Sequence, residues 1–277
     1  MNRSKTLVIA MVLCAVVSAG AVAQSIGQDE LRNRDAFSAY EPIYMIAGLG
    51  DELVKLSFSA KYEPFFRSHF GLYLAYKQTM FWDLFSESSP FQEIDYSPEL
   101  FWRFQSGYNL ADDLEIPVFE HIQFGWEHRS NGLDDTQSRG WDRVYAELEL
   151  KIGEGFNLAA NARYFVMIDT IFPDFYGDRP RYNQNIQDFI GSTEYEVRFG
   201  FERSPVFVLP RQVILSFGPA GGVNGLDFAN GWQQLDVLFG NLFGISPYVQ
   251  VWHGRGESLI EFDQEPTFSI RAGISLN

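Results

Sequence analysis

Three residues in one short stretch have the types that acyl transfer needs: His128, Ser130 and Asp142. A serine hydroxyl attacks a carbonyl once a base takes its proton. An imidazole can take that proton and later return it to the leaving alcohol. A carboxylate can hold the imidazole tautomer and stabilise the imidazolium. His and Ser two apart occur in many proteins, so the pair alone says little. Parity singles this set out. Ile122, Phe124 and Trp126 alternate with polar residues, and His128 and Ser130 continue the same face in steps of two. Further on, Val144, Ala146, Leu148 and Leu150 mark an oily face, and Asp142 shares their parity. On two adjacent antiparallel strands, a Ser, a His and an Asp then project from the apolar side near one rim. Polar groups facing hydrocarbon are costly unless they satisfy one another. The plainer alternative is that both strands have already left the membrane there, where polar residues cost nothing.

The elements that must position this set are strands. Val54–Tyr62, Val144–Ile152 and Tyr195–Phe201 alternate apolar and polar residues without error, with Lys, Glu, Arg or Ser on the second face. A soluble sandwich turns the oily face inward, whereas a membrane barrel turns it to lipid and the charges to the lumen. Twelve strands can be read, at 41–48, 53–62, 69–78, 98–107, 118–130, 142–152, 155–166, 192–202, 205–217, 231–240, 245–253 and 267–276. Most are near the roughly 9–11 residues that cross a bilayer at a tilt. The count is even, and long connections (79–97, 131–141, 167–191, 218–230) alternate with mostly short ones such as 153–154 and 203–204. Outer-membrane barrels show the same asymmetry. The expected fold is therefore all-β, a transmembrane antiparallel β-barrel of about 12 strands over residues 41–277, preceded by a polar N-terminal arm at 24–40.

The address agrees. Residues 1–23 read as a secretory signal peptide, with Arg3 and Lys5 before an apolar stretch Leu7–Val17 and Ala21-Val22-Ala23 as the cleavage site. Removal takes two basic residues and no acid, so 21 Lys and Arg become 19 against 36 Asp and Glu, and the net charge goes from −15 to −17. The lone cysteine, Cys14, leaves with it, which excludes a disulfide scaffold or a Cys-ligated metal site. The acidic balance argues against a nucleic-acid partner, which needs a basic face. With 46% hydrophobic and 16% aromatic residues, the chain is too apolar for disorder. Its rings suit a lipid-facing coat.

The hairpin stretch resembles the outer membrane phospholipase A family. That family's signature is His-x-Ser-Asn-Gly, an acidic and Ser-containing loop, then Trp-Asn-Arg. Here it stands as His128-Arg-Ser130-Asn131-Gly132 and Trp141-Asp142-Arg143. Ser88-Ser89-Pro90-Phe91-Gln-Glu93 with Tyr96-Ser-Pro98 resembles a family loop. Gly254-Arg-Gly256-Glu257-Ser258-Leu259-Ile260 resembles a stretch near the family's C-terminus, and Asn185–Gly191 is also similar. The resemblance spans most of residues 41–277.

It implies an enzyme that hydrolyses acyl esters of phospholipids in the bacterial outer membrane, with Ser130 as nucleophile and His128 as base. The third member is usually Asn; Asp142 is a departure, although either residue can accept the imidazole N–H. The resemblance further implies the Gly132 backbone N–H as part of an oxyanion hole. It implies calcium as cofactor, with Asp135 and Ser138 as side-chain ligands, Leu133 as a carbonyl ligand, and Ser88 as a ligand from the partner subunit. Gln78 matches a Gln on the lipid-facing surface of a homodimer. Taken alone, Asp134-Asp135 reads as a solvated acidic loop. A passive pore or a non-catalytic barrel remains the alternative function.

Overall fold

A computed structural model describes residues 36–48, 53–65, 71–105, 118–152, 156–172, 185–201, 209–220, 227–241 and 243–276. The expected signal peptide and most of the 24–40 arm lie outside these residues. The described arm begins with a two-residue strand, β1 (Phe37–Ser38). Twelve longer strands follow: β2 (Ile43–Gly48), β3 (Val54–Tyr62), β4 (Leu72–Trp82), β5 (Phe91–Gln105), β6 (Val118–Ser130), β7 (Gly140–Ile152), β8 (Phe156–Met167), β9 (Thr193–Phe201), β10 (Pro210–Ala220), β11 (Asp227–Phe239), β12 (Ile245–Gly254) and β13 (Thr267–Leu276). Each pairs antiparallel with its sequence neighbour. β13 closes on β2, and β3 joins both β2 and β4. The result is a closed 12-strand antiparallel barrel. Closure removes free strand edges.

The barrel is polar inside and apolar outside. Lys55, Ser57, Asp95, Glu99, Gln123, Glu147, Asp236, Gln250 and Arg271 are buried, whereas Phe58, Leu74, Leu148, Tyr164, Leu215 and Ile274 are exposed. Water cannot favour that arrangement, but hydrocarbon can, because it accepts the apolar face without a hydration cost. Inside, carboxylates and cations neutralise one another. Arg143 bridges Glu127 and Glu194, and Arg163 bridges Glu127 and Glu147. An apolar cluster fills another part of the interior, with Phe101, Trp141, Phe165 and Met167 from strands and Ile186 from the short helix α2 (Ile186–Ile190). Leu259 and Phe262 join it from the β12–β13 connection. A one-turn helix, α1 (Ile168–Ile171), precedes α2 in the β8–β9 connection.

Several boundaries differ from expectation, including β11, which starts at Asp227 rather than 231 and shortens the connection expected at 218–230. The long connection expected at 79–97 is the shorter stretch 83–90, because β4 runs to Trp82 and β5 starts at Phe91. Ser and Pro at 86–90 read as a loop. Yet Ile94, Tyr96, Pro98 and Leu100 alternate with buried Glu93, Asp95, Ser97 and Glu99, so the barrel period already runs through this segment. The strand expected at 205–217 begins at Pro210 among the described residues. Proline lacks the ladder N–H and is tolerated at a strand's first residue.

Candidate active site

β6 and β7 form the hairpin that carries the candidate triad. Ser130 ends β6, opposite Gly140 on β7 and Tyr96 on β5. His128 and Asp142 are direct cross-strand partners, so their side chains leave the sheet on the same face a few ångströms apart. Gly140 suits its place because a Cβ there would sit 3.1 Å from the Ser130 Cβ. The register puts His128 Nε2 3.0 Å from Ser130 Oγ and His128 Nδ1 3.1 Å from Asp142 Oδ1. Asp142 can only accept, so Nδ1 carries the hydrogen and Nε2 is left to accept the Ser130 proton. The Asp142 side chain is 7% exposed and that of His128 32%. The acid is covered, and the base remains within reach of a ligand.

Parity places all three groups on the outward face, and Trp126 joins them. Its indole Nε1 donates to Asp142 Oδ1 at 3.1 Å, and its ring stacks beside His128 with centroids 6.4 Å apart. A carboxylate on an apolar face therefore has two N–H donors on one oxygen. The order of residues held a signal for Trp126, which lies two before His128 on the same face.

The connection 131–139 is folded by Asn131, a buried residue. Its amide nitrogen donates to the Gln137 carbonyl at 2.9 Å. Its Oδ1 accepts from the backbone N–H of Leu133 at 3.3 Å and of Arg139 at 2.9 Å. Gly132 follows with φ +67°, and a Cβ there would stand 2.9 Å from the Tyr96 ring. Among the described residues its N–H has no acceptor, so it is available to a ligand.

The expected calcium ligands lie at this end. Leu133 is exposed, and Asp135 lies in a single 3-10 turn, Asp135–Gln137, its side chain outside the described residues. The Leu133 carbonyl and the Ser138 hydroxyl make no hydrogen bond among the described residues. Hard oxygen donors of this kind, left without partners, suit calcium. Ser88 is exposed on the 83–90 connection with φ 66°. Gln78 projects outward from β4 opposite Tyr96 and Phe58, where its Oε1 accepts from Tyr76 Oη at 2.9 Å.

Behind the candidate triad, inward residues anchor β6. Arg129 donates to Asp95 Oδ2 at 2.6 Å and to the Glu257 carbonyl at 3.1 Å. Glu257, on the β12–β13 connection, meets Lys55 at 2.8 Å and Arg271 at 2.6 Å. Burial alone would push its carboxyl up, but the two cations outweigh burial and hold it below the ordinary carboxylate range. Ser258 donates to Glu93, as does the Ile260 N–H at 2.8 Å. Neither Arg129 nor this anchoring was expected, although the Gly254–Ile260 motif was noticed.

Known proteins place the chain. It is 30% identical to phospholipase A1 of Proteus vulgaris over 205 residues, 73% of this chain and 61% of that protein. It is 28% identical to phospholipase A1 of Escherichia coli K12 over 251 residues, 88% of this chain and 75% of that protein. The match therefore spans about three fifths of the first relative's length. A solved outer membrane phospholipase of Salmonella typhi, a dimer with bound calcium, superposes with a TM-score of 0.69 at 22% identity, covering 90% of this chain and 96% of that one. Outer membrane phospholipase A from Escherichia coli gives 0.65 at 23%, covering 94% and 96%. These two likenesses show the fold. A family model described as phospholipase A1 matches residues 51–276, well over half of the chain, and the chain thus belongs to the phospholipase A1 family.

Proposed function

We propose that this chain is a calcium-dependent phospholipase A of the bacterial outer membrane. It hydrolyses acyl esters of glycerophospholipids and acts as a homodimer after residues 1–23 are removed on export. One observation carries the reading: Ser130, His128 and Asp142 form a hydrogen-bonded chain on the outward, apolar face. A substrate that reaches that face does so through the bilayer, so a lipid ester is the natural partner.

Ser130 Oγ attacks the ester carbonyl as His128 Nε2 takes its proton, and Asp142 stabilises the imidazolium. The proton passes to the leaving lysophospholipid oxygen and an acyl-serine remains. A water molecule, deprotonated by the same imidazole, then releases the fatty acid. The Gly132 N–H, which has no acceptor among the described residues, would donate to the negative oxygen that develops at the carbonyl. Leu133, Asp135 and Ser138 would hold calcium together with Ser88 of the partner subunit. Bound there, calcium would supply positive charge that stabilises anionic oxygen. Gln78, polar on an apolar face, is the group a second copy would cover.

The interior counts against a passive pore. A cavity of about 690 Å³ lies among Lys55, Glu99, Arg143, Glu147, Arg163 and Asp236, the ion pairs described above line it, and the apolar cluster around Phe101, Phe165, Leu259 and Phe262 fills another part of the interior. Fatty-acid release from phospholipid micelles, with calcium and with chelator, tests the proposal beside Ser130→Ala. The expected result is release only with calcium and a loss of about 10⁴-fold or more in the variant. Full activity in Ser130→Ala sinks the nucleophile assignment, and ion conductance without lipid turnover sinks the enzyme.

A further inference from the structure

Asp142 Oδ1 meets two N–H donors. His128 Nδ1 and Trp126 Nε1 both lie 3.1 Å from this one oxygen. The two donors come from the same strand. His128 lies directly opposite Asp142, and Trp126 is one step along the outward face, opposite Val144. Indole N–H groups in this barrel do not always find a partner. Those of Trp141 and Trp252 are buried without a hydrogen bond among the described residues, and that of Trp82 takes the Ser89 carbonyl. The indole of Trp126 alone among these meets a residue of the candidate triad.

We propose that Trp126 is a positioning residue that holds an acceptor oxygen of the side chain at position 142 toward His128 Nδ1. The inference rests on the triad reading above and extends it to an outward aromatic that any lipid-facing strand could carry. Its physical basis is symmetry. A carboxylate presents the same oxygen to His128 whichever way it is turned. An amide does not: turned wrongly, it offers –NH2 to Nδ1, the imidazole takes the other tautomer, and Nε2 can no longer accept the serine proton. In soluble serine hydrolases that error accompanies a loss of about 10⁴ when Asp becomes Asn. Here a wrongly turned amide would also put –NH2 against the indole N–H, donor against donor in an apolar setting. Trp126 thus forces an oxygen toward both donors, and the site can work with either Asp or Asn at 142.

Four proteins test this: the unaltered enzyme, Trp126→Phe, Asp142→Asn and the double variant, each assayed for kcat and KM on phospholipid micelles with saturating calcium. Phe keeps a ring beside His128 and removes only the donor. Each single variant is expected to retain kcat within roughly tenfold, the scale of one lost hydrogen bond, with KM little changed. In the double variant the amide is free to turn, and kcat is expected about 10³-fold or more below Asp142→Asn alone, approaching the tautomer loss. Equal costs of Trp126→Phe in both backgrounds would reduce Trp126 to packing and overturn the proposal. So would a 10⁴-fold loss in Asp142→Asn with Trp126 in place.

A second readout needs no turnover. In 15N-labelled Ser130→Ala protein in micelles, the Trp126 indole N–H resonance should lie downfield and move on Asp142→Ala. An unmoved resonance refutes the hydrogen bond. Absence of fatty-acid release from the unaltered enzyme would instead refute the phospholipase reading.

Discussion

Glu257→Ala should destabilise the barrel by about 3 kcal/mol, near the lower end of the 3–5 expected when one partner of a buried ion pair is removed. The placement of the charges sets the size. Glu257 is 9% exposed, and its two partners, Lys55 and Arg271, are 5% and 4% exposed. Neither cation can turn to bulk water when the carboxylate goes. The loss is not at the upper end, because each keeps an acceptor: Lys55 the Gln250 Oε1 at 2.9 Å, and Arg271 the Ser269 hydroxyl at 2.8 Å. The sign with pH follows from the lowered carboxyl. A group whose folded pKa is depressed stabilises fully above its ordinary value and loses that contribution as pH falls through the folded one. The gap between parent and variant should therefore be full at neutral pH and close below about pH 4. Urea unfolding in detergent micelles, followed by tryptophan emission and by heat-dependent gel mobility, measures both. A loss under about 1 kcal/mol, the scale of a solvated pair, would refute the view that this trio is sealed in the barrel. A gap that widens in acid would refute the direction of the shift.

Asp135→Ala should raise the calcium needed for half-maximal fatty-acid release by about tenfold or more, as expected when a calcium site loses a charged ligand; an unchanged titration refutes the ligand assignment. Gln78→Leu should weaken self-association by several-fold, about 1 kcal/mol for a polar contact between lipid-facing surfaces. Energy transfer between labelled copies in micelles reports it, and unchanged association removes Gln78 from the interface. Gly132→Ala should cut kcat by at least about tenfold, since a side chain at φ +67° is strained and its Cβ would strike Tyr96; parent activity would show that this backbone is not held for chemistry.

Strands were legible in the sequence wherever one residue type dominated a face. Val144–Ile152 is such a run, and the strand expected there at 142–152 is observed as Gly140–Ile152. β5 was started late, at 98, because Ser, Pro and acidic residues at 86–97 read as a polar loop by composition, whereas the inverted barrel uses Glu93, Asp95 and Ser97, with Glu99, as its inward row. Composition misleads where the interior is the polar side. The outward grouping of His128, Ser130 and Asp142 was legible for the opposite reason: polar groups at the parity of Ile122, Phe124 and Trp126 break a pattern. Asn131 and Arg129 were not. Asn131 acts through the backbone groups of residues 133, 137 and 139, and Arg129 through Asp95 and a carbonyl 128 residues away. No periodicity marks such contacts.

The inversion also explains how a lipid-facing site can be rigid. Hydrocarbon offers side chains no directional contacts, so the outward groups cannot be held from outside. They are held through the pleat instead. His128 lies between Glu127 and Arg129 in sequence, and both turn inward to ion pairs, with Arg143 and Asp95 respectively. Asp142 precedes Arg143, whose guanidinium also bridges Glu194 on β9 and lies over the rings of Trp141 and Phe165. Glu127 and Arg143 are themselves cross-strand partners, the register position next to His128 and Asp142. This salt bridge therefore pins the β6–β7 register immediately behind His128 and Asp142. A slip of one residue would turn every outward group inward, so locking that register fixes where His128, Ser130 and Asp142 can point.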